Sequence, residues 1–323
     1  MRFVTFATIG LLSCALSATA ACGGSTPAVS TTSSDGGSMG NQGSGSPPPG
    51  YVRFTSDAVT VPADSSKQWI QWVQAPLDHD VDIVDIQGSQ SPGGHHAVLY
   101  STTDIEPVGT MRVWKDSDIV TAHFLGGIGG EGGSALKLPE GAVFRLRAGQ
   151  ALALQVHYLN ATTQSLQGTT RVDVEFAPPS PTDRLASLLT NTALTFSVPA
   201  HGKLHVNVSC KLTQDVSVLM YSNHLHQWGT SALTTLADTS GAQTVLKSDP
   251  SWNSEWTTNP NFTKMTVDAP LVIKAGETLS TSCDWSNTTS QPLAFPSEMC
   301  VFLAFYLGDT DVGCVDNGAF AKD

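Results

Sequence analysis

The stretch "VFRLRAGQALALQVHYLN", Val143 to Asn160, decides the fold class. Both arms alternate apolar and polar residues, the period that gives a β-strand two chemically different faces. "AGQ" interrupts the alternation, so the stretch reads as two strands joined in a hairpin-like pattern. In the second arm Leu152, Leu154, Val156 and Tyr158 share one face, and Ala153, Gln155 and His157 share the other. His157 thus stands on the more polar face, where a lone histidine is by default a surface or hydrogen-bonded residue.

The same period recurs on both sides of this stretch. "KQWIQWVQ" (67–74), "VDIVDIQG" (81–88), "KLHVNVSCKL" (203–212) and "SVLMYSNHLHQWG" (217–229) read as strands, and "EMCVFLAFYLG" (298–308) as a strand buried on both faces. No long helical period occurs. The Pro-rich segment "EFAPPSPTDRLAS" (175–187) separates two strand-rich regions and reads as a linker. The predicted fold is all-β: two tandem antiparallel β-sandwich, jelly-roll-like domains, spanning 51–178 and 179–323.

The 323 residues are 40% hydrophobic and only 14% charged, which suits a strand-rich globular protein with a real core. A formal net charge of -12 repels phosphate and argues against nucleic acid as a partner. The start, "MRFVTFATIGLLSCALSATAACGGS", has one Arg before a short apolar run and then small residues. It reads as a lipoprotein-type signal peptide over 1–21, with Cys22 as the lipidated residue. The alternative is ordinary cleavage after "ATA", leaving a free thiol. Either way the protein is exported to an oxidising cell-envelope compartment, and a lipid anchor would be its sole membrane attachment. Residues 22–50, rich in Gly, Ser and Pro, have too little apolar surface to fold and read as a disordered linker.

Four cysteines remain beyond the amino-terminal segment: Cys210, Cys283, Cys300 and Cys314. In an exported chain they make two disulfides, and spacing alone allows three pairings. The absence of a CxxC argues against a cysteine zinc site.

The histidines carry the chemistry. In "NHLHQWG", His224 and His226 would share one face of a strand and offer two imidazoles to one ion. In "GGHHAVLY", His95 and His96 would point oppositely on a regular strand; both reach one ion only if the strand bulges, which the preceding glycines make cheap. Met299 in "PSEMCVF" is by default a core side chain, but a thioether is also a soft ligand suited to Cu(I). His79, His123, His201 and His205 lie in no partner motif.

Taken in order, "HH", "LQVHY", "HLHQWG" and "SEMC" resemble the ligand motifs of the copper type II, ascorbate-dependent monooxygenases, the family of peptidylglycine alpha-hydroxylating and dopamine beta-monooxygenases. The resemblance covers nearly all of Tyr51 to Cys314. It implies one copper held by His95, His96 and His157 and a second held by His224, His226 and Met299, two per chain, facing each other across an open, water-filled cleft. It implies the disulfides Cys210–Cys314 and Cys283–Cys300. It also implies an activity: hydroxylation of a substrate C–H bond with O2 at the catalytic Met299, His224 and His226 site. The three-histidine copper would supply the second electron, and an ascorbate-like reductant would reload both. Where the peptide-amidating members place an Arg, an Asn and a Tyr to clamp a carboxylate, this chain has Ser222, Val301 and Leu303. A buried unpaired anion is costly, so a glycine-extended peptide is not the expected substrate. Two other readings stand beside this one: a non-catalytic surface copper-binding protein, and a structural or carbohydrate-binding sandwich with incidental histidines.

Overall fold

The computed structural model describes residues 46–115, 117–118, 121–131 and 133–322. The expected signal peptide, most of the linker and Cys22 lie outside the described residues. No α-helix occurs among the described residues; a 3-10 turn spans Ser254–Thr257.

The strands form three main sheets. An eleven-stranded sheet runs in the order β1 (Tyr51–Thr55), β12 (Thr170–Ala177), β4 (Val81–Gln90), β9 (Ala142–Leu146), β13 (Arg184–Ala193), β21 (Cys300–Leu307), β15 (Val216–His224) and β18 (Thr263–Lys264). β19 (Leu271–Ile273), β22 (Asp311–Val315) and β23 (Gly318–Lys322) attach along it. A six-stranded sheet has the order β6 (Met111–Val113), β3 (Ser65–Gln74), β10 (Ala151–Asn160), β5 (Gly94–Thr102), β7 (Ala122–Gly129) and β8 (Ser134–Ala135). A four-stranded sheet is β14 (Lys203–Lys211), β20 (Thr278–Ser286), β16 (Gly229–Ala237) and β17 (Gln243–Asp249). β2 (Val59–Val61) and β11 (Leu166–Gly168) pair apart.

The arrangement is sandwich-like in each half. Ile83 and Ile86 of β4, Val172 and Val174 of β12, and Phe144 of β9 pack against Leu99 of β5, Leu125 of β7 and Leu152, Leu154 and Val156 of β10. In the carboxy-terminal half, Leu189, Val218, Phe302 and Ala304 pack with Cys210 and Leu279 of the four-stranded sheet. Burying each Val, Leu, Ile or Phe among them contributes roughly 1.5–3 kcal/mol. Both disulfides implied by the resemblance form, Cys210–Cys314 and Cys283–Cys300. β21 is the buried central strand its apolar run predicts, flanked by β13 and β15.

Two expectations are corrected. Val143–Asn160 is not a hairpin: β9 pairs with β4 and β13, whereas β10 pairs with β3 and β5 in the other sheet. The "AGQ" turn therefore crosses the sandwich, because each arm is amphipathic toward the same core and faces it from opposite sides. The Pro-rich segment is also shorter than read. Residues 175–177 end β12 and 184–187 begin β13, leaving only 178–183 between strands. β13 then pairs in parallel with β9 through Arg184↔Ala142 and Leu185↔Val143, so one sheet runs through both halves. The core follows it, with Ala186, Leu219, Met220 and Phe305 joined to the amino-terminal cluster.

Candidate metal centre

The centre begins with a defect in β5. His157 of β10 pairs with His96, but the next residue, Tyr158, pairs with Gly94. His95 is the extra residue of a β-bulge, the distortion that lets adjacent histidines serve one site. Two glycines allow it. Gly93 has φ +84, in the left-handed region, and a Cβ on Gly94 would come 2.2 Å from the Cβ of Gln90. The result is a cluster: the ligand atoms of His95, His96 and His157 lie within 4.8 Å of one another.

His157 is fully buried, against the surface position its face pattern suggests. The face it shares with Gln155 is the one turned away from the Leu152, Leu154 and Val156 core, where the His95 and His96 rings pack against His157 and His226 of the carboxy-terminal half meets His95. Ser66 Oγ lies 2.8 Å from His157 Nε2. The other ring nitrogen, Nδ1, is buried with no hydrogen-bond partner. Gln155, which donates to Gln68 Oε1 at 2.9 Å, also hydrogen-bonds His96.

The second group departs from its expected geometry. β15 ends at His224, and His226 sits in the turn before β16, so the pair is not two neighbours on one strand face. Leu225 turns into the core, fully buried, and the two rings remain 5.2 Å apart at 89°. His224 Nδ1 is likewise buried without a partner. His226 Nδ1 lies 3.0 Å from the carbonyl oxygen of Ser297. That contact fixes the proton on Nδ1 and leaves Nε2 a lone pair, the tautomer control typical of metal-binding histidines.

The groups do not face each other across an open, water-filled cleft. His95 Nε2 lies 3.3 Å from His226 Nε2, and both residues are buried. Burial pushes all five imidazoles down, and neighbouring rings add to it at His95, His96, His157 and His224: His96 falls to about 3, His226 to about 4 despite its bond to Ser297, and His95, His157 and His224 well below the ordinary range. Five neutral rings each carry a lone pair, and two, one in each group, have a buried nitrogen with no partner. Such a donor set fits a metal ion that takes imidazole.

One side of the cluster opens into a cavity of about 630 Å³. His96, His224 and Met299 line it. Its other walls include Val98 and Tyr100 of β5 and Val301, Leu303 and Phe305 of β21, with Phe124, Leu188, Met220, Trp256 and Phe262. The charged residues on its lining, Lys137, Glu255 and Lys264, are exposed. Ser222 is buried and donates to the carbonyl of Asn223.

Sequence reasoning missed Glu298. It is wholly buried, accepts from the backbone N–H of His226 (3.1 Å) and Trp228 (2.8 Å) and from the Trp285 indole (2.9 Å), and so pins the turn that carries His226. Burial pushes its carboxyl up to about 7 against the pull of these donors. The signal was an acid at the mouth of an apolar run in "EMCVF". The histidines set aside do stay apart: His79 contacts Asp78, His205 contacts Asp284, and His123 lies 3.7 Å from Asp311.

No family model matches this chain, and no curated protein matches its sequence. Among solved structures, a recombinant N-glycanase F (PNGase F) is similar at 10% identity and TM-score 0.36, over 85% of this chain and 99% of that one. PNGase F from Flavobacterium meningosepticum, a glycosylasparaginase, is similar at 11% identity and TM-score 0.33, over 84% and 99%. The major capsid protein P2 of bacteriophage PM2 is similar at 6% identity and TM-score 0.31, over 84% and 98%.

Proposed function

We propose that this protein is an exported, copper-dependent monooxygenase that hydroxylates a C–H bond of an uncharged, apolar small molecule with O2 and an ascorbate-like reductant. The observation that carries this reading is the placement of His96, His224 and Met299 on the wall of one apolar cavity. Copper bound there would supply one-electron redox chemistry toward O2. The chain's own residues do the rest. His95, His96 and His157 offer three neutral imidazoles, the Ser66 hydroxyl orients the His157 ring, and Gln155 orients His96. His224 and His226 offer two more, and Met299 adds a thioether, a ligand that favours Cu(I). Val98, Tyr100, Leu303 and Phe305 shape the substrate's space and exclude water. Val301 and Leu303 line the cavity where a carboxylate clamp would stand, so a glycine-extended peptide has no cation to pair with. Two disulfides suit an oxidising compartment outside the cytosol, and a lipid anchor at Cys22 would hold the protein at the envelope.

The test loads the purified soluble region with copper and follows oxygen uptake with ascorbate over a panel of aromatic and aliphatic substrates. Substrate-dependent uptake with a hydroxylated product is expected. Bound copper without turnover would favour the copper-binding protein, and no bound copper would sink both. Met299→Ile should keep the fold and the three-histidine ion while abolishing hydroxylation; full activity in that variant overturns the assignment of the oxygen site.

A further inference from the structure

The five imidazoles belong to two groups by sequence, yet they touch. His95 Nε2 lies 3.3 Å from His226 Nε2, with ring centroids 4.7 Å apart and planes at 81°. One ring comes from the bulge of β5 and the other from the turn after β15, so the contact joins the two halves of the chain. The Ser297 carbonyl can only accept, so the proton of neutral His226 sits on Nδ1, and the Nε2 turned toward His95 is a lone pair. Two imidazole nitrogens bound to one tetrahedral ion, at bond lengths of about 2.0–2.1 Å, stand about 3.3 Å apart. The observed separation is that span.

Given the reading of this site as a copper centre, we infer that His95 and His226 ligate one and the same ion. The ligand sets read from sequence as separate then meet in a single metal centre shared by both halves. The remaining rings lie close on either side: His96 and His157 each have a centroid within 4.9 Å of the His95 ring, and His224 is 5.2 Å from His226. A second ion held by that remainder sits within coupling distance of the first. The rival explanation of the 3.3 Å contact is a hydrogen bond from His95 Nε2–H to His226 Nε2, with each ring serving a different ion.

The experiment titrates the metal-free protein with Cu(II) alone in four forms: wild type, His95→Ala, His226→Ala and the double variant. Ions bound per chain are counted after buffer exchange, with circular dichroism to confirm folding. Two ions are expected in the wild type and one in each single variant. The double variant should also keep one, because both substitutions release the same ion. A double variant that keeps none, while each single variant keeps one, overturns the inference and leaves the copper reading standing. A wild type that binds no copper overturns both. Electron paramagnetic resonance of the two-copper wild type needs no substitution: a spin-coupled pair, with signal lost or broadened relative to total copper, is expected. Two full-intensity, independent Cu(II) signals would refute the shared ion.

Discussion

Glu298 is where one side chain does most for the centre without touching a substrate. Its carboxylate accepts from two backbone N–H groups and one indole while sitting next to Met299 in the chain. Glu298→Leu strands those donors in the interior, and each unsatisfied buried donor costs about 1–3 kcal/mol. The variant should unfold at clearly lower temperature, while Glu298→Gln, which keeps an acceptor oxygen, should fold and bind less copper at His226; thermal melts and copper titration check the pair. An unchanged melting temperature in Glu298→Leu would refute the pinning role. The six proposed ligands were named from the order of four short motifs and the family those motifs resemble. Their burial was not legible there. The face shared by Gln155 and His157 looks like a solvent face in isolation, yet Ser66, Gln68 and the His95 and His96 rings pack against it.

At the scale of elements, the sequence made a bulge in β5 the condition for His95 and His96 to serve one ion, and the ladder has a bulge there. Gly94→Ala places a methyl against the Cβ of Gln90 on one side and the carbonyl of Ser91 on another, and neither is a free side-chain end. Overpacking of this kind costs typically about 1–3 kcal/mol. We expect the bulge to shift, with a lower melting temperature and loss of at least one bound copper; a variant with wild-type copper content would show that the bulge is dispensable. The Cys283–Cys300 bridge ties β20 of the four-stranded sheet to the first residue of β21, immediately after Met299. Its loop of 17 residues corresponds to about 3 kcal/mol in the chain-entropy description. Replacing both cysteines by serine should lower stability by roughly that amount, read by denaturant unfolding, and should weaken copper held through Met299 more than copper held by imidazoles alone. The HLH pair was misread because strand alternation is a local rule. The strand stops at His224, and the rings converge through the turn that Glu298 holds instead.

Across the whole molecule, the parallel pairing of β9 with β13 threads one sheet through both halves. Phe305 from the carboxy-terminal half packs against Phe124 and Phe144 from the amino-terminal half, at centroid distances of 5.2 and 5.7 Å. Asp311 accepts from the backbone N–H of Phe124 and of Leu188, closing the same seam. With a shared core of this kind, calorimetry should record one cooperative unfolding transition for the folded region, and Phe305→Ala should lower its midpoint at a cost of about 3–5 kcal/mol. Two resolved transitions would show that the halves are independent. The sequence by itself determined the all-β class, the positions of most strands, the cysteines available for two bridges and the residue types able to bind a metal, because alternation, glycine placement and donor chemistry act over a few residues. Tertiary structure alone decided that the Val143–Asn160 arms lie in different sheets, that His157 is buried, and that His95 meets His226. Those outcomes depend on which amphipathic faces find each other once both halves share a sheet, and contacts between residues 131 positions apart leave no trace in any local pattern.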